Sequence, residues 1–285
     1  MLQFFEQVPL AENCTLRVGG PAAFFTILRS IQELPEIWAF AQEKKIPIFW
    51  LGAGSNLLFA DAGFPGLVVK NELKGLSLKD NFLTALAGEP LANLGRILAA
   101  QNLTGVAELA GVPGTVGGAL AGNANNLGKF LVSAKVICLT EKFSRKPRSE
   151  IWDQEQCQFQ YRFSAFKNSP NFILQAKFHF PAAQQPSDLK QLIQAKMQKQ
   201  PFLRTSGSWF KNPPQQQAWS LIQAVGGPGL TIGKARISKL HANFFENLGG
   251  ARASDFLQLE KLIQARVWQK FQIKLEREVV LVVGR

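Results

Sequence analysis

The chain has 285 residues, of which 46% are hydrophobic and 18% are charged. A chain of this length and composition is expected to form about two globular domains, and intrinsic disorder is excluded. The formal net charge of +12 favours an anionic partner, namely a phosphorylated small molecule, a nucleic acid or a membrane surface.

The first seventy residues alternate strand and helix signals. Residues 22–28 predict a strand, and Ser30 followed by Glu33 marks a helix that continues to about Lys45. An apolar strand then runs into a glycine-rich turn, and residues 66–70 predict another strand. This part of the chain therefore predicts a small α/β unit.

From about residue 71 to residue 183, short strands with turn residues between them predominate. Residues 81–88, 134–140 and 171–180 predict strands, and residues 90–102 predict a helix. This pattern predicts a mixed or antiparallel sheet.

The rest of the chain begins with a linker at 181–189. Helices are predicted at 187–199, at 215–227 and from Ser254 onward, with strand-like sequence at 235–247 and a terminal strand from 273. Leu259, Ile263, Val267 and Phe271 recur at every fourth position of the last helix, which predicts its buried face.

Two glycine-rich segments suggest a phosphorylated ligand. In LGAGSNLL (51–58), Gly52 and Gly54 allow a tight turn whose N–H groups, with Ser55 and Asn56, could bind a pyrophosphate. Leu57 stands where the dinucleotide fingerprint has its third glycine, so an ordinary turn is as good an interpretation of this segment alone. A second segment, GVPGTVGGALAGNA (111–124), predicts a bent backbone with small side chains, and the pair favours a bulky phosphorylated cofactor.

The cysteines favour a reducing compartment. Cys14, Cys138 and Cys157 are odd in number and widely spaced, and they form no zinc pattern with His179 and His241, so no metal is expected. The N-terminus lacks a basic lead, and no run of about 18 apolar residues occurs, so neither a signal peptide nor a membrane span is expected. The expected location is the cytoplasm.

The densest basic cluster is KFSRKPR, at 142–148. Ser144 and Pro147 interrupt it, which favours a solvated hairpin tip over a nucleic-acid-binding face. We therefore expect no nucleic-acid partner.

Motifs along nearly the whole chain resemble, in the same order, those of the UDP-N-acetylenolpyruvoylglucosamine reductase (MurB) family. They are TLRVGGPA at 15–22, the two glycine-rich segments, YRFSAFK at 161–167, SGSWFKNP at 206–213, ARISKLHANFFENLGGARASD at 235–255, and LEREV at 275–279. The last of these is similar to the family's L-E-P-E-V.

The resemblance implies an α+β fold with a two-part FAD-binding module of vanillyl-alcohol-oxidase (PCMH) type and a C-terminal α/β substrate-binding domain. The expected parts are 1–70 and 71–183 for the two FAD-binding subdomains and 184–278 for the substrate domain. The terminal strand at 279–285 is expected to return to the first subdomain. The length resembles the shorter subtype of the family, and a monomer is expected.

The resemblance also implies non-covalent FAD, with NADPH as co-substrate and UDP-N-acetylglucosamine enolpyruvate as the small-molecule substrate. The implied reaction yields UDP-N-acetylmuramate for peptidoglycan. The FAD contacts implied by the glycine-rich segments are Gly52, Ala53, Gly54, Ser55, Asn56, Leu57, Pro113, Gly114, Thr115, Gly117, Gly118 and Asn123.

Three catalytic residues are implied by the motifs. Ser208 is the expected proton donor, and Arg162 is expected to bind the substrate carboxylate. Glu278 is expected to lie near Arg162 and to donate a hydrogen bond in its protonated form, which burial would favour. Glu276 is the competing carboxylate, because residues two apart on a strand share a face.

Substrate contacts are implied at Tyr161, Lys211 and Asn212. The motifs do not decide which cations bind the diphosphate, and the candidates are Lys199, Arg204, Lys211 and Lys239.

The chain departs from the family pattern at Cys14, Gly122, Asn125, Asn126 and Val280. The departures at 122–126 and at Val280 leave open a flavin- or UDP-sugar-binding protein without turnover. A flavin oxidase with another substrate is a further alternative, although the glycine-rich segments offer no His or Cys for a covalent flavin link. A basic nucleic-acid-binding protein is the least favoured alternative.

Overall fold

The structure is a computed structural model that describes residues 2–138, 148–167, 169, 171–201 and 204–284. The basic cluster lies outside the described residues except for Arg148. The chain forms two compact units. The first comprises Met1–Gln3, Thr26–Gly52 and Val69–Ala195, and the second comprises Phe4–Phe25, Ala53–Val68 and Lys196–Arg285. The three-part division at 70/71 and 183/184 differs from this one and stays a prediction.

Fifteen strands lie in the described residues. They are β1 Phe5–Pro9, β2 Pro21–Leu28, β3 Ile48–Leu51, β4 Leu57–Phe59, β5 Phe64–Asn71, β6 Leu76–Lys79, β7 Phe82–Leu86, β8 Leu131–Cys138, β9 Arg148–Trp152, β10 Phe172–His179, β11 Thr205–Ser208, β12 Thr231–Ile232, β13 Ala235–Ile237, β14 Phe244–Asn247 and β15 Val280–Val282.

Seven α-helices lie in the same residues. They are α1 Leu34–Lys44, α2 Leu91–Ala100, α3 Val106–Leu109, α4 Val116–Ala121, α5 Leu189–Met197, α6 Ala218–Ala224 and α7 Ala253–Phe271, and short 3-10 segments occur at Leu10–Asn13, Ile31–Glu33 and Ala124–Phe130. The mixture of helices with largely antiparallel sheets confirms the predicted α+β class.

The first unit contains a five-stranded sheet of order β6-β7-β10-β8-β9. All four of its strand pairings are antiparallel, which confirms the prediction for residues 71–183. Apolar side chains of this sheet and of α2 and α4 form one buried core, which includes Leu83, Leu94, Leu98, Val116, Leu120, Val136, Ile173 and Phe178. A further sheet has the order β1-β2-β5-β3.

The second unit contains a four-stranded sheet of order β11-β14-β13-β12, and α7 packs against β12 and β13. Leu259, Ile263 and Val267 are buried, as the spacing along the helix predicts, whereas Phe271, the last residue of α7, is only half-buried. Trp209 stacks on Phe245 with ring centroids 4.5 Å apart. The last strand, β15, pairs in parallel with β4, so the C-terminal end of the chain returns to residues 57–59.

Three local predictions differ from the structure. The terminal strand is predicted from residue 273, but β15 begins only at Val280. Residues 116–121 form the short helix α4, although the sequence predicts only a bent backbone there. Residues 235–247 form two strands, β13 and β14, with a turn between them, whereas the sequence predicts one strand-like segment.

The three cysteines are buried thiols. None of the helices in the described ranges combines the length and the apolar character that a bilayer span requires. Within those ranges, no three His, Cys, Asp or Glu side chains are grouped closely enough to hold a metal ion.

Candidate active site

Ser208 and Glu278 lie on neighbouring segments of the second unit. Ser208 ends β11, and the carbonyl of the next residue, Trp209, accepts a hydrogen bond of 2.8 Å from the N–H of Glu278. Phe210 and Arg277 form an antiparallel bridge beside this bond. The backbone therefore brings two of the three predicted catalytic residues together across paired segments.

Glu276 and Glu278 occupy different environments. The side chain of Glu276 is 67% exposed and pairs with Lys211 Nζ at 3.2 Å. Glu278 is only 9% exposed. Burial therefore distinguishes Glu278 from its competitor, and the expectation that the two share a face stays a prediction.

Lys211 and Asn212, two of the predicted substrate contacts, have partners within the chain. The N–H of Lys211 donates to the carbonyl of Glu276 at 2.9 Å, in addition to the side-chain ion pair. Asn212 Oδ1 accepts a hydrogen bond of 3.0 Å from the N–H of Ala218 at the start of α6. Their role toward a substrate stays a prediction.

Asn243 is a buried residue that the sequence analysis does not single out. Its Oδ1 accepts from the N–H of Phe210 at 2.9 Å, and its Nδ2 donates to the carbonyl of Phe210 at 2.8 Å. Its own carbonyl accepts from the N–H of Trp209 at 2.7 Å. Asn243 therefore holds the backbone immediately after Ser208. In the sequence, the position of Asn243 in the HANF motif at 241–244 is the signal that could have identified it.

His241 has a structural role in the same turn. Its Nδ1 accepts a hydrogen bond of 3.2 Å from the N–H of Asn243, and its ring packs edge-on against Phe244. Burial lowers the pKa of His241 below its usual value, so the ring is neutral near pH 7 and able to accept this bond.

Asn56 connects the first glycine-rich segment to the segment that carries Glu278. Its Nδ2 donates to the carbonyl of Glu278 at 3.4 Å, and its carbonyl accepts from the N–H of Val280 at 3.0 Å. Val280, one of the departures from the family pattern, makes this bond through its backbone, which any residue other than proline could supply. The departure therefore leaves this contact intact.

The close packing of Gly54 and the hydrogen bonds of Thr15 also fix the first glycine-rich segment. Gly54 has φ +66°, and a Cβ there would lie 2.5 Å from the carbonyl oxygen of Asn13, so only glycine fits. The N–H of Thr15 donates to the carbonyl of Gly54 at 3.2 Å, and its hydroxyl donates to the carbonyl of Thr205 at 2.7 Å. Thr15 thus links the segment to the strand that ends at Ser208.

The second glycine-rich segment is closely packed in the first unit. A Cβ at Gly52 would lie 2.5 Å from Thr115 Oγ1, and one at Gly117 would lie 2.9 Å from the Cβ of Ala87. Gly118 is different, since it is exposed and a Cβ there would meet no atom closer than 3.5 Å. Internal packing does not require glycine at 118. Because Gly118 has no side chain, the planar part of a ligand would have room to lie against the backbone at this position.

The other predicted FAD contacts lie on the same two segments. Ala53 and Pro113 are exposed, whereas Ser55, Leu57 and Gly114 are half-buried. Among the side chains that could hold a flavin, those of Ser55 and Asn56 lie in the first segment and those of Thr115 and Asn123 in the second.

Asn123 brings the end of the second segment close to Arg162. Its Nδ2 donates to the carbonyl of Gln160 at 2.9 Å. Gln160 and Phe163 exchange two backbone hydrogen bonds, of 3.0 and 3.2 Å, so Tyr161 and Arg162 form the tip of a tight turn. Arg162 has φ +55°, an unfavourable conformation for a residue with a side chain, and such strain is common at functional sites.

Asn125 and Asn126, two further departures from the family pattern, have φ +50° and +56° and are exposed. Asparagine is among the few residues other than glycine that adopt this conformation readily. The substitutions therefore suit the backbone that the segment requires.

The remaining candidate cations, Lys199, Arg204 and Lys239, are exposed residues of the second unit. Tyr161 is also exposed. Arg162 belongs to the first unit, whereas Ser208 and Glu278 belong to the second.

Comparison with known proteins identifies relatives of the whole chain. A family model described as the C-terminal domain of UDP-N-acetylenolpyruvoylglucosamine reductase matches residues 196–282, and one described as an FAD binding domain matches residues 22–138. The second match confirms the predicted flavin-binding module.

Two similar proteins are both named UDP-N-acetylenolpyruvoylglucosamine reductase. That of Synechococcus sp. (strain WH7803) is 37% identical over 96% of this chain and 91% of its own length, and that of Chlamydia muridarum is 38% identical over 97% and 94%. The crystal structure of the reductase from Thermus caldophilus aligns over 99% of both chains, with a TM-score of 0.80 and 28% identity.

Proposed function

Because the chain belongs to the family of UDP-N-acetylenolpyruvoylglucosamine reductases and is an FAD-dependent oxidoreductase, we propose that it reduces the enolpyruvyl group of UDP-N-acetylglucosamine enolpyruvate with NADPH. The product is UDP-N-acetylmuramate, a peptidoglycan precursor. FAD, held by residues of the two glycine-rich segments, would supply the hydride-transfer chemistry between NADPH and the terminal vinyl carbon of the sugar nucleotide. The chain then has to stabilise the resulting charge and supply one proton.

The observation that carries the proposal is the pairing of the Ser208 and Glu278 segments beside the first glycine-rich segment. Asn56 of that segment donates to the carbonyl of Glu278, and the N–H of Glu278 donates to the carbonyl next to Ser208. A proton donor, a second acid and a flavin-contact residue are thus joined by backbone and side-chain bonds within the second unit.

Each catalytic residue has one task in this proposal. Ser208 Oγ donates the proton to the carbon next to the substrate carboxylate. The Arg162 guanidinium binds that carboxylate and favours the form in which negative charge spreads into it. Glu278, which is buried, donates a hydrogen bond to the same charge in its protonated form.

The test is an anaerobic experiment on Ser208→Ala. NADPH should bleach the flavin of the variant as in the wild type, because the serine has no part in that step. Addition of the enolpyruvyl sugar nucleotide should restore the oxidised spectrum about 10² to 10⁴ times more slowly, which is the usual loss for a removed general acid. Stopped-flow absorbance of the flavin measures both steps.

Ser206→Ala is the matched control. Ser206 is buried two residues away, and its Oγ has no hydrogen-bond partner among the described residues, so its loss should change neither step more than about twofold. Reoxidation at the wild-type rate in Ser208→Ala would remove the serine from the mechanism. A wild-type flavin that stays bleached until air is admitted would instead indicate an oxidase with another substrate.

A further inference from the structure

Glu260 is a buried carboxylate that the proposed reaction does not use. It lies on α7 and is 5% exposed. Its Oε2 accepts a hydrogen bond of 2.9 Å from the indole N–H of Trp209. Arg277 Nε lies 3.1 Å from its Oε1 and 2.9 Å from its Oε2. Two donors from separate segments therefore meet on one carboxylate.

The two donors are the sequence neighbours of the two predicted catalytic residues. Trp209 directly follows Ser208, and Arg277 directly precedes Glu278. The segments are already paired by the bond from the Glu278 N–H to the Trp209 carbonyl. Backbone pairing alone leaves each side chain free to change rotamer, whereas a shared carboxylate fixes the Trp209 and Arg277 side chains and the backbone that bears them.

Arg277 stands where the family motif L-E-P-E-V has proline, which could not make this contact. A buried carboxylate is unfavourable unless it is paired and hydrogen-bonded, and Trp209 and Arg277 together meet that requirement. The ring of Trp209 is also held by stacking on Phe245 and on Phe256, at 4.5 and 5.4 Å. The network is thus anchored in the core of the second unit.

We propose that Glu260 is a positioning residue that holds Ser208 and Glu278 at the spacing needed for proton donation, through Trp209 and Arg277. The proposal rests on the proposed function, because it presupposes that Ser208 and Glu278 act on the same substrate. It predicts a defect confined to the step in which the sugar nucleotide is reduced.

The experiment is Glu260→Gln in the FAD-loaded protein, with the two half-reactions measured separately. The glutamine keeps the shape but loses the charge, and a shift of about 1 Å in a catalytic group costs about 100-fold in rate. We expect reoxidation by the enolpyruvyl sugar nucleotide to slow about 10- to 100-fold, and bleaching by NADPH to stay within about twofold of the wild type. The loss should appear in kcat rather than in KM.

Trp209→Phe is the second variant, because it keeps an aromatic ring in the stack and removes the indole N–H that reaches Glu260, together with part of the indole ring system. It should slow the same half-reaction, by about tenfold, even if Glu260→Gln folds poorly. Glu246→Gln is the matched control, since Glu246 also pairs with an arginine, Arg236, at 2.7 Å but touches neither neighbour of the catalytic residues. It should leave the ratio of the two half-reactions unchanged.

Two results would overturn the proposal. One is a wild-type reoxidation rate in folded Glu260→Gln and Trp209→Phe, with only their melting temperatures lowered, because the network would then be purely structural. The other is an equal loss in both half-reactions. Failure of the proposed function looks different, since the wild-type protein itself would then not be reoxidised by the sugar nucleotide.

Discussion

Gly52 lies so close to Thr115 that the turn admits no side chain. For Gly52→Ala, we expect the free energy of unfolding to fall by about 1–3 kcal/mol, because the new Cβ would lie 2.5 Å from Thr115 Oγ1 and the surrounding structure would have to shift to admit it. FAD affinity should fall as well, since both residues belong to the glycine-rich segments. Urea unfolding and quenching of flavin fluorescence measure the two effects.

A second substitution tests the cause of that loss. Thr115→Ala in the Gly52→Ala chain removes the clashing oxygen and should recover most of the stability, apart from the hydrogen bond that Thr115 Oγ1 accepts from the Gly118 N–H. Gly122→Ala should be nearly silent, because a Cβ there meets no atom closer than 3.8 Å. Equal effects of Gly52→Ala and Gly122→Ala would contradict the packing explanation.

Helix α7 is capped by a residue that is remote in the sequence. Asp61, which lies shortly after β4, accepts hydrogen bonds from the N–H groups of Ala253 and Ser254 at 2.6 and 3.1 Å. Burial alone would raise the pKa of Asp61, but these bonds and the nearby charge of Arg252 outweigh it and hold the pKa below its usual value. The ionised carboxylate therefore stabilises the N-terminal end of the helix on which Glu260 lies.

We expect Asp61→Asn to lower the free energy of unfolding by about 1 kcal/mol at neutral pH, because the amide nitrogen cannot accept the second of the two hydrogen bonds and the negative charge at the helix N-terminus is lost. The pKa is lower in the folded state, so the wild-type advantage is fully present above the unfolded value of about 3.9. The advantage disappears as the pH falls through the folded value. Urea unfolding of both proteins between pH 7 and pH 2.5 tests this, and a difference that does not shrink toward the lowest pH would contradict it.

The net charge of +12 acts at the scale of the whole molecule. The proposed ligands, FAD, NADPH and the UDP-sugar, are all anions, so the charge should accelerate their association. We expect kcat/KM for the sugar nucleotide to fall several-fold between about 20 and 200 mM NaCl, because the screening length becomes shorter. The value of kcat should change much less.

Steady-state kinetics in NaCl and in potassium sulfate at equal ionic strength would separate screening from competition by a particular anion. The two salts should give the same decrease. A kcat/KM that does not depend on ionic strength would mean that the net charge has no part in substrate capture.

Structural features that depend on local pattern and on motif order can be predicted from the sequence alone. The antiparallel sheet of residues 71–183, the apolar stripe of α7 and the turn in the first glycine-rich segment follow from periodicity and residue type, which act over a few neighbours. The order of the motifs indicated the family and therefore the residues Arg162, Ser208 and Glu278. Their catalytic roles stay predictions.

Contacts between residues that lie far apart in the sequence are visible only in the tertiary structure. The bonds from Asp61 to Ala253 and from Glu260 to Trp209 span 192 and 51 residues, and no local pattern encodes them. The difference in exposure between Glu276 and Glu278 is likewise not encoded in their two-residue spacing. Such contacts depend on how whole helices and strands pack against one another. That packing is a property of the whole fold and not of any short stretch of sequence.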